Sequence, residues 1–215
     1  MAMPGQIIIL NGVPRSGKSS IARAIQESFD GPWMNLGVDS YEQITPPQLR
    51  PGIGLRPGGE RPDLEVFVPR MYAALSESIA AHSRLGLNVV TDVGHHDAYS
   101  KPLDCLVDGA RRLAGLPVLF VGVRCPVEVI MERRAASAAG RGYVTGSSGD
   151  PVPLPVRLWQ EAVHQPGVYD LEVDTSRMNS VQCADAIRKQ LLMDELNPTA
   201  FERILASHSA THRSL

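Results

Sequence analysis

The chain has 215 residues, 43% of them hydrophobic and 20% charged, with a formal net charge of −2 at pH 7. This length and composition indicate one domain with a core that needs no disulfides, and the acidic balance argues against a nucleic-acid partner, whose phosphates select a basic surface. No signal-peptide pattern and no run of about 18 apolar residues occurs, so no membrane partner is expected, and three separated cysteines fit reduced thiols in the cytoplasm.

Strands and helices are predicted to alternate along the chain. An apolar, β-branched run at residues 6–11 predicts a buried strand, and a glycine-rich turn and a helix over 19–25 follow it. Further strands are predicted at 33–38, 88–92, 117–123 and 168–174, and further helices at 64–85, 100–114, 126–139 and 179–192. This alternation predicts an α/β fold of three layers, with a central parallel sheet between helices.

Two loops and the C-terminus depart from this alternation. Residues 45–62 are rich in proline and glycine, and residues 140–153 in glycine, serine and proline. Long loops in compact domains usually have a function, and a lid is expected near 134–153. Residues 1–192 are expected to form a single domain. Residues 193–215 are expected to be an extension with a short helix near Asn197 and a frayed end.

The glycine-rich turn contains a phosphate-binding motif. Residues 12–19 have the sequence GVPRSGKS, which matches G-x-x-x-x-G-K-[ST] at every fixed position. Such a loop directs backbone N–H groups at phosphate oxygens, while Lys18 reaches the β- and γ-phosphates and the Ser19 hydroxyl binds Mg²⁺. ATP and Mg²⁺ are therefore the expected cofactors. The predicted nucleotide-binding residues are Gly12, Val13, Pro14, Arg15, Ser16, Gly17, Lys18, Ser19 and Ser20.

Two aspartates follow predicted strands, at the sheet edge where parallel sheets bind ligands. Asp92 follows the strand that starts at residue 88 and is the second candidate Mg²⁺ ligand, with capping of the next turn as the alternative. Asp39 ends the predicted strand 33–38 and is the candidate general base, because a carboxylate there could accept the proton of an attacking hydroxyl. Its alternative role is to cap the turn at 40–42.

Arginines of the predicted lid could neutralise the transferring phosphoryl group, since guanidinium groups suit phosphate geometry. The candidates are Arg133, Arg134 and Arg141, of which Arg133 and Arg141 are assigned a catalytic role. Because Arg133 and Arg134 are adjacent, one of the two is expected to be a solvated surface residue. Arg15, inside the loop, either contacts phosphate or points to solvent.

Several aromatic and histidine side chains could line an acceptor pocket. His95 and His96 could instead bind a metal, but adjacent side chains diverge and no third ligand follows at helical spacing, so a pocket role is favoured. Trp159, His164 and Tyr169 either line a pocket or pack in the core, and packing is favoured.

Together with the P-loop, these residues give a sequence that resembles the chloramphenicol phosphotransferase-like family over roughly residues 6–192. The likeness consists of Ile8-Ile9-Leu10-Asn11-Gly12, Ser16-Gly17-Lys18-Ser19, Pro32-Trp33, Gly37-Val38-Asp39-Ser40, Asp92-Val93, Val121-Gly122-Val123-Arg124-Cys125, His164 and residues 169–175. The resemblance implies ATP-dependent phosphorylation of a primary hydroxyl, with Asp39 as base. It also implies a nucleoside-monophosphate-kinase-like sheet, with the Asp92 strand between those ending at Gly12 and Asp39.

The residues leave several functions open. The leading hypothesis is a kinase of a small-molecule hydroxyl, with an antibiotic such as chloramphenicol as the first named acceptor and antibiotic resistance as the implied role. The loops at 45–62, 94–96 and 135–142 depart from the family where an acceptor would bind. A nucleoside, sugar or other metabolite kinase is the alternative, although no arginine cluster stands near Asp39. An ATP-dependent switch without an acceptor is another. A homo-oligomer is neither favoured nor excluded.

Overall fold

A five-stranded parallel sheet forms the centre of the structure. The computed structural model describes residues 3–136, 149, 151–193 and 198–213. Its strands are β1 (Ile7–Asn11), β2 (Trp33–Asn35), β3 (Asn88–Val93), β4 (Val118–Arg124) and β5 (Leu171–Asp174). They pair in the order β2-β3-β1-β4-β5. The predicted parallel sheet is confirmed, and β3 does lie between β1 and β2.

Helices cover both faces of this sheet, which confirms the three-layer α/β fold. They are α1 (Lys18–Ser28), α2 (Val38–Ile44), α3 (Pro62–Glu65), α4 (Val68–Arg84), α5 (Cys105–Arg112), α6 (Val127–Ala136), α7 (Leu154–Ala162), α8 (Ser180–Leu191) and α9 (Ala200–Arg213). None of the helices within the described ranges is long and apolar enough to cross a bilayer.

Alternate side chains of β1 pack on opposite faces of the sheet, as the pleat of a strand requires. Ile8 and Leu10 pack with α1 and α8, where Ile25 and Ile187 are fully buried. Ile7 and Ile9 pack in the core on the opposite face, with α4, α5 and α9. Because β1 is buried on both faces, its sequence is almost continuously apolar.

The strand register brings the ends of three strands together. Asn11 at the end of β1 pairs with Val93 of β3 on one side and with Gly122 of β4 on the other. The loops that leave these strands therefore start at the same edge of the sheet, which is where ligands bind in parallel α/β folds.

The second strand is shorter than predicted, and this changes the place of Asp39. The Asn35 side-chain oxygen accepts a hydrogen bond from the Gly37 amide at 3.0 Å, a local turn that competes with strand pairing. The strand ends at Asn35, and Asp39 lies in the first turn of α2. The expectation that Asp39 ends a strand is therefore wrong.

Prolines account for two further differences. The helix predicted over 64–85 is two helices, α3 and α4, because Pro69 has no amide hydrogen and is tolerated only in the first turn of a helix. By the same rule Pro155 lies in the first turn of α7, a helix that was not predicted. Most of the predicted lid lies outside the described residues; positions 151–153 lead directly into α7.

The C-terminal segment contains the 14-residue helix α9, so the expectation of a short helix near Asn197 is wrong, and the last two residues of the chain lie outside the described residues. Ala200, Phe201 and Ile204 of α9 are buried, and the Phe201 ring lies 5.2 Å from the ring of Phe120 in β4. The Asp170 carboxylate accepts a hydrogen bond from the Ala200 amide at 2.5 Å and so fixes the start of the helix. Residues 200–213 therefore pack on the same sheet as the rest of the chain.

Candidate active site

The phosphate-binding motif forms the loop between β1 and α1, as predicted. Gly17 precedes α1 with a φ of 96°, in the left-handed region that favours glycine. Gly12 also has to be glycine, because a Cβ there would lie 2.6 Å from the Val123 carbonyl oxygen. The loop is thus shaped by two of its fixed positions, and the backbone leads into the N-terminus of a helix, which attracts anions.

Lys18 is folded back over the loop. Its Nζ donates hydrogen bonds to the carbonyl oxygens of Gly12 at 2.8 Å and Val13 at 2.9 Å. Burial lowers the pKa of Lys18, while the nearby carboxylates of Asp92 and Asp39 act in the opposite direction. The amine is therefore held where a phosphate would lie on the loop, and it is in electrostatic contact with both candidate aspartates.

Ser19 and Asp92 form a pair of oxygen ligands. The Ser19 hydroxyl donates to Asp92 Oδ2 at 2.9 Å, and the Asp92 side chain is buried. Asp92 lies inside β3, so it does not cap the following turn. Hydroxyl and carboxylate oxygens suit a hard cation, and these two groups fit Mg²⁺ completed by phosphate and water oxygens. Within the described residues, no cluster of three or more His, Cys, Asp or Glu side chains could hold a metal.

Gly37 makes room for the Asp92 carboxylate, which leads to a first prediction. A Cβ at Gly37 would lie 1.7 Å from Asp92 Oδ1, although the backbone φ of −66° suits any residue. We expect Gly37→Ala to displace the carboxylate, to raise the Mg²⁺ concentration needed for half-maximal turnover roughly 10–100-fold, and to cost about 1–3 kcal/mol of stability. Magnesium titrations of turnover and urea unfolding measure both effects.

The matched control for this change is Gly109→Ala, in helix α5 and away from the cleft. A Cβ at Gly109 would approach only Ser76 Oγ, at 3.4 Å, so this variant should keep the wild-type magnesium requirement. An unchanged magnesium requirement in Gly37→Ala would show that Asp92 does not help to hold the cation.

Asp39 is exposed in the first turn of α2 and lines the same cleft as Lys18 and Asp92. A negative charge is favoured in the first turn of a helix. The cleft has a volume of about 1400 Å³. It runs from the phosphate loop past α2, and this leaves space for a second molecule beside the nucleotide.

The two adjacent arginines of α6, Arg133 and Arg134, are not placed as the sequence analysis expected. The guanidinium of Arg133 donates to the Thr175 carbonyl at 2.7 Å, to Thr175 Oγ1 at 3.0 Å and to the Arg15 carbonyl at 3.3 Å. The Arg15 guanidinium in turn donates to the Arg133 carbonyl at 3.0 Å. Arg134 is buried, so neither residue is a solvated surface residue. Arg141 lies outside the described residues.

These contacts attach α6 to the phosphate loop and to the end of β5. Both Arg15 and Arg133 line the large cleft, so Arg15 is not directed only to solvent. Contact of Arg133 with a transferring phosphoryl group stays a prediction.

Asn11 is a central residue of the site that the motifs did not single out for a role. Its Nδ2 donates to the Val163 carbonyl and the Tyr169 hydroxyl, both at 2.9 Å, and its Oδ1 accepts from the His95 amide at 2.8 Å. The Tyr169 hydroxyl also shares a hydrogen bond with His164 Nδ1 at 2.8 Å. One buried side chain thus joins β1, the loop after β3 and the end of α7. Its only signal in the sequence is a polar residue that ends an apolar strand.

His95 and His96 lie behind the cleft rather than along it. They line a second cavity of about 230 Å³ that reaches Ile204 of α9. His95 stacks on Tyr72 with 4.6 Å between ring centroids, and His96 donates through Nε2 to the Leu55 carbonyl at 2.9 Å. Trp159 does line the large cleft, where its ring covers Gly94. The metal alternative for the two histidines therefore has no support among the described residues.

Because His95 is buried, we expect the folded protein to lose stability in acid. Burial, with a smaller effect of the neighbouring His96, lowers the pKa of His95 from its ordinary 6.5 to about 3. The unfolded chain therefore binds a proton below pH 6.5 that the folded chain does not bind. The contribution of His95 is complete above pH 6.5 and falls as the pH drops towards 3, by about 2 kcal/mol at pH 5.

Urea unfolding of the wild type at pH 7 and pH 5 measures this decline. We expect a smaller decline in His95→Gln and an unchanged one in His82→Gln, whose histidine lies on α4 with its ring bonded to the Ser78 carbonyl. If His95→Gln kept the full decline, another group would be its cause.

A parallel sheet, a phosphate loop with its lysine and a serine–aspartate pair define a P-loop phosphotransferase. The chain belongs to the chloramphenicol phosphotransferase-like protein family, whose model matches residues 5–192. A protein of Mycobacterium tuberculosis named "Putative O-phosphotransferase" is 29% identical over 188 residues, which cover 80% of this chain and 76% of that protein.

Solved structures with the same fold include two kinases and an antibiotic resistance protein. The APS kinase of Mycobacterium tuberculosis has a TM-score of 0.59 at 17% identity, covering 87% of this chain and 98% of that one. The shikimate kinase of Acinetobacter baumannii has a TM-score of 0.56 at 14% identity, covering 90% and 97%. The tunicamycin resistance protein of Deinococcus radiodurans has a TM-score of 0.54 at 22% identity, covering 87% and 96%. Family and fold together make this chain a small-molecule kinase.

Proposed function

We propose that the protein is an ATP-dependent O-phosphotransferase that acts on a hydroxyl of a small molecule. The observation that carries this proposal is the position of Asp39, which faces the same cleft as Lys18 and the Ser19–Asp92 pair. A nucleotide switch needs the phosphate loop but has no use for a carboxylate beside the space for a second molecule. The name of the mycobacterial relative supports the same reaction type.

The residues divide the chemistry between them. The N–H groups of the loop and Lys18 bind the phosphates, and Ser19 and Asp92 would hold Mg²⁺, which when bound neutralises phosphate charge. Asp39 accepts the proton of the acceptor hydroxyl. As it does so, the hydroxyl oxygen of the acceptor bonds to the γ-phosphorus, and the bond from that phosphorus to the β-phosphate oxygen breaks. Arg133 and Arg141 are proposed to stabilise the charge on the transferred group. Residues 1–192 are proposed to form this single kinase domain, in the cytoplasm where ATP is abundant.

Chloramphenicol is the acceptor that the family name suggests, and it makes a direct first test. Purified protein is incubated with MgATP and chloramphenicol, and the products are analysed by mass spectrometry. A gain of ~80 Da on chloramphenicol, absent in Lys18→Ala, would establish phosphoryl transfer to this antibiotic.

If chloramphenicol is not phosphorylated, further measurements distinguish the remaining functions. Protein that binds ATP but leaves chloramphenicol unchanged would still be a kinase candidate for a nucleoside, a sugar or another metabolite. Absence of any acceptor-stimulated turnover across a panel of hydroxyl compounds would instead favour the switch, and the proposed transfer to a small molecule would be rejected.

A further inference from the structure

We infer that the acceptor carries one oxyanion group, which Arg56 binds in the cleft that the phosphate loop also lines. This inference rests on the proposed function, since it names the class of molecule whose hydroxyl faces Asp39. Arg56 lies in the proline- and glycine-rich segment 45–62, which sequence reasoning left without an assigned residue. In the structure it lines the same cleft as Lys18, Asp39 and Asp92.

The backbone around Arg56 is fixed on both sides. The Ile53 carbonyl accepts from the Tyr72 hydroxyl at 3.1 Å, and the Leu55 carbonyl accepts from His96 at 2.9 Å. On the other side the Gly58 amide donates to the Ala98 carbonyl at 2.7 Å. These bonds fix the backbone from which the Arg56 side chain extends towards the cleft.

The same segment lies against the helix that carries Asp39. A Cβ at Gly54 would be 3.6 Å from Val38 Cγ1, an ordinary van der Waals contact. Pro51, Ile53 and Val38 add apolar surface to this wall of the cleft. A molecule bound in this cleft can therefore present a hydroxyl to Asp39 and an anionic group to Arg56.

The arginines that line the cleft differ in their hydrogen bonds and ion pairs. Arg15 and Arg133 bind backbone carbonyls, and Arg177 lies 3.6 Å from the Asp174 carboxylate. Over the described part of the chain, the exposed Arg56 makes no hydrogen bond or ion pair, and the same holds for Arg23 on α1. A guanidinium that faces a cleft with its donors unused is suited to a planar or tetrahedral oxyanion, which it binds through two parallel hydrogen bonds.

The charge on this wall of the cleft limits how many anionic groups the acceptor can carry. Glu42 lines the cleft too and follows Asp39 by one helical turn. Two carboxylates on this wall repel a molecule with several negative charges, whereas one oxyanion is balanced by Arg56. A hydroxy acid or a monosulfate ester fits this arrangement, and neutral chloramphenicol leaves Arg56 without a partner.

The test is an anion titration of the protein loaded with Mg²⁺ and AMPPNP. Loading occupies the phosphate loop, so added anions cannot bind there. Acetate and sulfate are added in separate titrations, and each is compared with chloride at the same ionic strength. The readout is the nitrogen-15 NMR signal of the arginine side chains and of the backbone amides at 53–58, with Arg56→Gln, Arg23→Gln and Arg70→Gln as variants.

We expect saturable shifts of the Arg56 side chain and of amides 53–58 with at least one of the two oxyanions. The preferred anion indicates whether the acceptor is a carboxylate or a sulfate. Binding should weaken roughly tenfold or more in Arg56→Gln. It should persist in Arg23→Gln and in Arg70→Gln, whose arginine is exposed on α4 outside the cleft.

Absence of saturable binding in the wild type, or equal binding in Arg56→Gln, would overturn the inference. Loss of binding in Arg23→Gln alone would place the anion on α1 and also overturn it. Failure of the proposed function has a different signature, because it would appear as the absence of acceptor-stimulated turnover across the panel of hydroxyl compounds, whereas the anion titration contains no acceptor. The two ideas can thus fail separately.

Discussion

Replacement of Lys18 by alanine should reduce the rate of phosphoryl transfer about 10²–10³-fold, the size of effect measured when one preorganised donor to a developing charge is removed. The Lys18 amine lies over the phosphate loop, bonded to the carbonyls of Gly12 and Val13. Nucleotide phosphates have to take over these hydrogen bonds on binding. The transferring group spreads its negative charge over its oxygens in the transition state, and no other lysine lines the cleft among the described residues.

The controls for Lys18→Ala address charge and folding separately. Lys101→Ala removes an equal charge from an exposed position after β3 and should have no effect on turnover. Lys18→Arg keeps the charge but replaces a compact amine by a planar guanidinium, and it should also be slow. Urea unfolding shows whether each variant is folded. A folded Lys18→Ala protein with wild-type turnover would mean that the loop does not bind the phosphates of the reacting nucleotide.

Features that depend on neighbours in the chain could be predicted from the sequence. The phosphate loop is a local motif between an apolar strand and a helix, and its eight residues specify both its shape and the position of Lys18. The place of β3 between β1 and β2 followed from the family resemblance, because strand order is a property of the whole fold and has no local signal in the sequence. The contact of Ser19 with Asp92, 73 positions later, is a consequence of that order.

Features that depend on distant contacts could not be predicted. The sequence predicted only a short helix near Asn197, because the length of α9 depends on packing against Phe120 and on the Asp170 carboxylate, and neither residue is near it in the sequence. Arg56 follows Asp39 by 17 positions within a loop of irregular backbone, so no periodicity assigns it to the same cleft. Asp39 itself was identified as a candidate base, but its place on a helix depends on the Asn35 side chain.

Replacement of Asp39 by asparagine should leave MgAMPPNP binding nearly unchanged and should reduce acceptor-stimulated turnover ~10²-fold or more, as removal of a general base does. The amide has the shape of the carboxylate but cannot accept the hydroxyl proton. Asp39 is exposed, so the substitution leaves no buried group unpaired and the protein should unfold at the wild-type urea concentration. Burial lowers the pKa of Lys18, and Asp92 opposes this lowering more strongly than Asp39 does, so the substitution removes only the smaller of the two opposing effects.

Asp30→Asn is the matched control. Asp30 is exposed in the loop between α1 and β2, and its carboxylate does not line the cleft. Turnover is measured as ADP release with and without the acceptor. A base is needed only when a hydroxyl is to be deprotonated, so the loss in Asp39→Asn should be confined to the acceptor-stimulated rate. Equal loss of the slow hydrolysis of ATP without acceptor would mean that Asp39 acts on the nucleotide side of the cleft. Wild-type acceptor-stimulated turnover in Asp39→Asn would show that another group takes the proton.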